Sequence, residues 1–325
     1  MSPAASILIV NYNGGAYLQR CVAALRAQTR SDFEVILVDN DSTDESLAPL
    51  ELDDRFTLIE AGENLGFAAA NNLAAKHANA PWLITLNPDA FARPDWFANL
   101  MRATDRHPGV ALFGSMQIMA NAPSRFDGAG DEFSLWGIAY RARYGHPIET
   151  ITEDYPVFGP CAAAAAYRRD VFESLGGFDA RFFCYHEDVD LALRFRRLGH
   201  RAIQVHDAIV DHVGSALTGE ASPFAVYHGT RNRIWTWAKS MPAGPALLLS
   251  PFMVSANLAY LIWSLFRPGR FRPTAKGLWH GLTGLPRMIR TRRSAVPPSD
   301  QRSTVGPALV RSPFAVVKRR NRWRR

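Results

Sequence analysis

Short apolar runs alternate with amphipathic stretches from Ser6 to Trp82, the pattern of a parallel sheet covered by helices. Ile7 to Val10 is the first run, and Leu18, Cys21, Val22 and Leu25 then place one apolar face on a helix ending near Gln28. Phe33 to Val38 predicts a second strand, closing on the polar turn from Asp39 to Asp44. A third, Phe56 to Ile59, leads through Asn64-Leu65-Gly66-Phe67 into a small-residue helix ending at Ala75. Trp82 to Leu86 is a fourth, ending at Asn87-Pro88-Asp89. Each strand thus delivers polar residues at its carboxyl end, the edge where open α/β sheets bind ligands. Residues 110–185 predict irregular strands and loops over that edge. Beyond them lie a helix from Glu187 to Leu198, with Gly199 after it, and a last short strand from Ala202 to Val205.

The C-terminal part has a different pattern. Ser240 to Phe266 is 27 residues without a charge, long enough for the roughly 20 residues of a membrane span. Pro242, Pro245 and Pro251 favour a broken or interfacial segment instead, and Arg267, Arg270, Arg272 and Lys276 follow it directly. Basic residues beside apolar ones suit the anionic cytoplasmic leaflet.

Charge sharpens this division. The 325 residues sum to +7, but residues 231–325 hold 19 Lys and Arg against one acid, Asp300, a net of +18, and residues 1–230 hold 18 against 29, a net of −11. The sequence therefore divides into a catalytic-type region 1–235, an apolar and basic helical region 236–295 expected to associate with a membrane, and a basic tail 296–325 expected to be disordered until it meets an anionic surface. With 47% hydrophobic residues, disorder of the whole chain, collagen and small disulfide scaffolds are excluded. Three irregularly spaced cysteines, Cys21, Cys161 and Cys184, suggest neither a disulfide framework nor a metal knuckle, so a reducing compartment is expected. The N-terminal residues read as a direct strand start without a secretory signal.

Several residues carry candidate chemistry. Asp89, in a turn after a buried strand, can ligate a hard cation or simply cap the next segment. Asp39 can accept hydrogen bonds from a nucleotide base or ribose, or cap a helix at Asp44. In His186-Glu187-Asp188-Val189-Asp190 three carboxylates occupy four positions, more than a helix N-terminus alone accounts for. Asp188 shares a helix face with Leu191, Ala192 and Phe195, which suits a rigid general base. His212 is either a structural histidine or, beside Asp89, part of a mixed oxygen and nitrogen site of the Mn or Mg type. Arg231 and Arg233 either clamp phosphate or begin the basic region.

In order, Ile9-Val10-Asn11-Tyr12-Asn13, Val38-Asp39-Asn40-Asp41-Ser42-Thr43-Asp44, Asn64-Leu65-Gly66-Phe67 through Asn71-Asn72, Asn87-Pro88-Asp89, Gly176-Gly177-Phe178-Asp179, Tyr185 to Leu191 and His212-Val213-Gly214-Ser215 resemble the family 2 inverting glycosyltransferases of GT-A fold, in their bacterial rhamnosyltransferase-like branch. The resemblance covers roughly residues 5–235 and implies an α/β fold with a Rossmann-like mixed sheet flanked by helices. It further implies that Asp39 contacts the nucleotide base with Asn11 and Tyr12 nearby, that Asn64, Gly66 and Asn71 surround the ribose and donor sugar, and that Asp89 and His212 ligate a divalent cation, Mg or Mn. Asn87 stands where the family's motif has its first acid, a weaker ligand. Asp188 resembles the catalytic base, Glu187 and Asp190 its support or acceptor contacts, and Arg231 and Arg233 residues that meet phosphate. The implied substrates are a nucleotide-diphospho-sugar and a saccharide acceptor, polyprenyl-linked, at the cytoplasmic face of the inner membrane.

Two other classes are weighed against this. A sugar-nucleotide nucleotidyltransferase would carry a basic Gly-rich loop after the first strand, where Asn11 to Gly15 has no basic residue. A non-catalytic binding protein would use the +18 region for nucleic acid, but the uncharged stretch beside it suits a membrane better, and no nucleic-acid partner is expected.

Overall fold

The computed structural model describes residues 2–214, 222–292, 296 and 302–311. Its strands are β1 (Ala5–Asn11), β2 (Phe33–Asp39), β3 (Phe56–Glu60), β4 (Trp82–Leu86), β5 (Ala90–Ala92), β6 (Leu112–Met119), β7 (Phe126–Gly128), β8 (Asp131–Ser134), β9 (Ala139–Arg141), β10 (Tyr155–Val157), β11 (Ala164–Arg168), β12 (Ala202–His212) and β13 (Leu309–Val310). The helices are α1 (Gly15–Arg26), α2 (Gly66–His77), α3 (Trp96–Arg106), α4 (Arg169–Ser174), α5 (Glu187–Arg197), α6 (Pro223–Ser240), α7 (Ala243–Leu248), α8 (Ser250–Leu265), α9 (Phe271–Thr283), α10 (Leu285–Thr291) and α11 (Val305–Ala308).

The main sheet runs β10-β12-β6-β11-β4-β1-β2-β3. β3, β2, β1 and β4 are parallel neighbours, as the alternation of apolar and amphipathic segments predicts. β11 enters antiparallel between β4 and β6, making the sheet mixed. Because residues of a strand alternate between faces, β1 sends Leu8 into one core with α2 and α5, and Ile7 and Ile9 into another with α1 and α3. β1, β2, β4, β6 and β12 all point their carboxyl ends to one edge.

Four expectations are corrected. Residues 110–185 contain two central strands, β6 and β11, as well as loops. The last strand is 11 residues long, not four, because its polar second half continues pairing with β6 past an irregularity between Val205 and Ile209. The boundary expected at 235/236 falls inside α6, whose Lys239 reaches Asp179 and Asp190 of the catalytic region at 2.8 Å each. Within the tail expected to be disordered, residues 302–311 pack on the domain: β13 pairs with β8, and Arg196 Nη1 donates to Thr304 Oγ1 at 3.1 Å. Residues 297–301 and 312–325 of that tail, like Ser215, lie outside the described residues.

The region expected to meet a membrane is helical. No helix among the described residues is long and apolar enough to cross one.

Candidate active site

A cavity of about 780 Å³ opens at the carboxyl edge of the sheet. Backbone pairing builds its floor. β5 runs antiparallel to the end of β12, setting Ala90 opposite His212, and Val213 N donates to Asp89 O at 3.0 Å. Asp89 and His212, 123 positions apart, therefore face each other with Nε2 3.3 Å from Oδ1. β7 adds Asp127, whose Oδ2 lies 2.7 Å from His212 Nδ1 and which also pairs with Arg141. Burial disfavours charge on this imidazole, but the carboxylates of Asp127 and Asp89 outweigh it and raise the pKa to about 9.

The fit of this corner to a divalent cation follows from its donors. Nδ1 is engaged by Asp127, while Nε2 is buried, faces a carboxylate oxygen and has no hydrogen bond of good geometry. An imidazole nitrogen and a carboxylate converging in this way, with the second ring nitrogen held by an acid, have the chemistry to hold a divalent cation. Asn87 also lines the cavity.

The opposite wall is the start of α5. Asp188 accepts from Ala162 N at 3.3 Å and from Val189 N at 2.8 Å. Burial raises its pKa against these donors. Asp131 of β8 lies beside it, and burial together with the Asp188 charge pushes its carboxyl well above the usual range. Burial and Asp188 likewise raise Glu187. The loop before α5 is strained: Phe183, Tyr185 and His186 have φ of 65°, 70° and 68°, a conformation side chains other than glycine seldom adopt. Asn232 of α6 holds it, its Nδ2 donating to the carbonyls of Phe182, Cys184 and Tyr185 at 2.9, 2.9 and 2.7 Å. Gly66 lets the loop approach, since a Cβ there would lie 2.5 Å from the Phe183 ring.

Of the residues expected at a site, Tyr12, Asn64, Gly66, Asn87, Asp89, Glu187, Asp188 and His212 share this cavity. Asn11 and Asp39 lie behind it, Asn11 Nδ2 donating to Asp39 Oδ1 at 3.0 Å and Asp39 Oδ2 accepting from Ser42 N at 3.1 Å. Four expectations are corrected. Asn71 is buried in α2, bonded to Phe67 O. Asp190 is fully buried against Arg194, Lys239 and Ser240. Arg231 donates to the carbonyls of Arg181 and Phe182, steadying the strained loop. Arg233 turns to α8, meeting Asn257 and the Tyr260 ring. Sequence reasoning missed Asp127, Asp131, Arg141 and Asn232. Of these only Asp127, in Phe126-Asp127-Gly128, carries a sequence signal, a charge in apolar surroundings; the others lie among polar or charged neighbours.

Residues 6–176 match the family described as glycosyl transferase family 2. An N-acetylglucosaminyl-diphospho-decaprenol L-rhamnosyltransferase of Mycobacterium tuberculosis is 30% identical over 259 residues, 70% of this chain and 82% of that protein. The O-antigen biosynthesis protein RfbC of Myxococcus xanthus is 32% identical over 70% of this chain, which corresponds to 18% of that longer protein. Among solved structures, the mannosyltransferase PcManGT of Pyrobaculum calidifontis, in complex with GDP-Man and Mn2+, superposes with a TM-score of 0.55 at 18% identity, covering 88% of this chain and 87% of that one. The chain therefore belongs to glycosyl transferase family 2 and is a glycosyltransferase of GT-A fold.

Proposed function

We propose that this glycosyltransferase moves a sugar, with inversion, from a nucleotide-diphospho-sugar to a hydroxyl of a lipid-linked saccharide at the cytoplasmic face of the membrane, in surface polysaccharide synthesis. The observation that carries the reading is the pairing of two unlike corners on one cavity: Asp89 with His212 on one side, and Asp188 on the first turn of α5 on the other. Asp188 removes the proton of the acceptor hydroxyl as that oxygen attacks the anomeric carbon from the face opposite the leaving group. Its raised proton affinity, a consequence of burial, suits a group that must take a proton from an alcohol. Asp89 and His212 would hold a divalent cation, Mg or Mn, which when bound would neutralise charge on the departing nucleoside diphosphate. Tyr12, 42% exposed at the end of β1, presents a ring beside the nucleotide, with Asp39 and Asn11 behind it. Asn64 and Gly66 border the donor sugar, and Glu187 the acceptor.

The lipid-linked acceptor is supported by the Mycobacterium tuberculosis relative, whose name gives a decaprenol-linked substrate. It is supported separately by the C-terminal helices, whose amphipathicity is inverted. α8 buries Asn257 and Ser264 and exposes Val254, Leu258, Ile262 and Leu265, spaced four, four and three residues apart on one face. α9 packs on α6 through Gly277 and Gly281, where a Cβ would lie 2.8 Å from Tyr227 O and 2.6 Å from Ile234 Cδ1, and leaves Trp279 65% exposed. A helix pair that buries small and polar residues and shows its apolar ones to the outside is suited to lie in a membrane interface. Arg267, Arg270 and Arg272 beside it match an anionic leaflet.

A screen of UDP-, dTDP- and GDP-sugars for nucleoside diphosphate release, with Mg or Mn and N-acetylglucosaminyl-diphospho-polyprenol as acceptor, tests the reading. Acceptor-dependent release with one donor is expected. Release independent of acceptor, or none with any donor, contradicts it.

A further inference from the structure

Asp131 occupies a position that the fold itself does not use. Its backbone does the structural work: Asp131 N donates to Gly159 O at 2.8 Å, and its carbonyl accepts from Phe158 N at 3.2 Å. Asp131 as a whole is 7% exposed, its side chain lines the catalytic cavity, and its Oδ1 is buried without a hydrogen-bond partner. Across the cavity wall Glu187 is 5% exposed and has a second buried carboxylate oxygen, Oε2, without a partner. Arg141, directly opposite Asp131 in the β8–β9 pair, is committed to Asp127. One oxygen of Asp131, one of Asp188 and Sγ of Cys161 all lie within 4.8 Å of one another.

Burying a carboxyl oxygen without a partner is costly, and setting it beside a second carboxylate adds repulsion. A chain that keeps such a group where it supports nothing else keeps it for something that enters the cavity. That visitor must bring a hydrogen-bonding group to Asp131 while another group of the same molecule reaches Asp188. Neighbouring hydroxyls of one sugar ring satisfy both conditions. A hydroxyl both donates and accepts, so it satisfies Asp131 whether or not the carboxyl carries a proton.

Building on the function proposed above, we propose that Asp131 is an acceptor-binding residue that holds the hydroxyl adjacent to the one Asp188 deprotonates, so that the enzyme selects a saccharide with two neighbouring free hydroxyls. The acceptor is then gripped as a diol, and its reacting oxygen is oriented by the hydroxyl beside it. Discrimination of this kind is expected of a site whose buried polar group is left unpaired by the wrong substrate.

The experiment measures steady-state transfer to N-acetylglucosaminyl-diphospho-polyprenol and to its analogues lacking one free sugar hydroxyl at a time, with wild type, Asp131→Ala and Asp131→Asn. Losing a hydrogen bond to an ionisable group predicts a rise in acceptor KM of about 10- to 100-fold for Asp131→Ala. Asp131→Asn, which keeps an oxygen in place, is predicted to lose less, donor affinity should stay at the wild-type value, and the melting temperature should not fall below it. One analogue, lacking the hydroxyl beside the attacked one, should lose as much with wild type as Asp131→Ala loses on the parent acceptor, and the two losses should not add. Additive losses on every analogue, or an unchanged KM in Asp131→Ala, would overturn the inference while leaving the proposed function standing. Absence of wild-type transfer to the parent acceptor would overturn the proposed function, and this inference with it.

Discussion

Asp127 Oδ2 lies 2.7 Å from Nδ1 of His212 and leaves Nε2 turned toward Asp89. That contact fixes which ring nitrogen faces the cavity. A carboxylate that holds a metal-binding imidazole through its other ring nitrogen is worth about 10- to 100-fold in metal affinity, so Asp127→Ala should weaken Mn2+ binding by that factor, measured by the loss of the free-ion resonance on titration. Unaltered Mn2+ affinity would separate His212 from the cation.

Asp190 is predicted to act on stability and not on substrate. It is fully buried and neutralises Arg194 and, with Asp179, Lys239. Removing one member of a buried ionic cluster costs about 3–5 kcal/mol, so Asp190→Ala should lower the denaturation midpoint by a corresponding amount. A variant of native stability with impaired acceptor binding would return Asp190 to the site.

How much of this was legible in the sequence follows from which forces act locally. β1, β2 and β4 are buried on both faces and stand out as continuous apolar runs, and the helix at Glu187 sets Leu191 and Phe195 one turn apart, so these elements are open to reading. β11 does not: Ala164-Ala165-Ala166 lacks the branched side chains that mark strands and is a strand only because β4 and β6 flank it. The second half of β12 is hidden by His206, Asp207 and Asp211, yet pairing with β6 and β5 extends it to His212. Asp127 reaches the site because β7 pairs with β6, and Asp131 and Arg141 because they face each other in the β8–β9 hairpin that bridges to Gly159, placements that leave no period to read. Arg231 and Arg233 misled for a related reason, since a charge looks available until the carbonyls and rings that occupy it are seen.

Acid should unfold the wild type partly through Asp154. Burial opposes its charge, but hydrogen bonds from His206 and Arg106 outweigh it and hold the carboxyl far below its ordinary 3.8. A depressed folded value gives stability that is complete above the unfolded value and lost as pH falls through the folded one. Wild type should therefore lose stability progressively as pH drops below about 3.8, and Asp154→Asn should lose less over the same range in thermal melts. Parallel melting curves for the two would contradict this.

The inverted face of α8 is predicted to determine membrane attachment. Leu258 and Ile262 are 54% and 58% exposed, and burying an aliphatic side chain of this size is worth about 1.5–3 kcal/mol. Leu258→Asp with Ile262→Asp should reduce sedimentation with anionic phosphatidylglycerol vesicles by at least about tenfold, with transfer to a water-soluble acceptor retained. Binding equal to wild type would place the membrane contact elsewhere.

The division of labour between the two corners of the cavity is tested most directly by Asp188→Asn, assayed side by side for nucleotide-sugar affinity by calorimetry and for glycosyl transfer by product formation. The amide keeps the shape of the side chain and removes the proton acceptor. Affinity for the nucleotide-sugar should stay near the wild-type value while the transfer rate falls by about 10²- to 10⁴-fold, the contribution of a general base. Transfer persisting at the wild-type rate in a variant that binds donor normally would contradict the assignment of Asp188 and, with it, the account of how this site works.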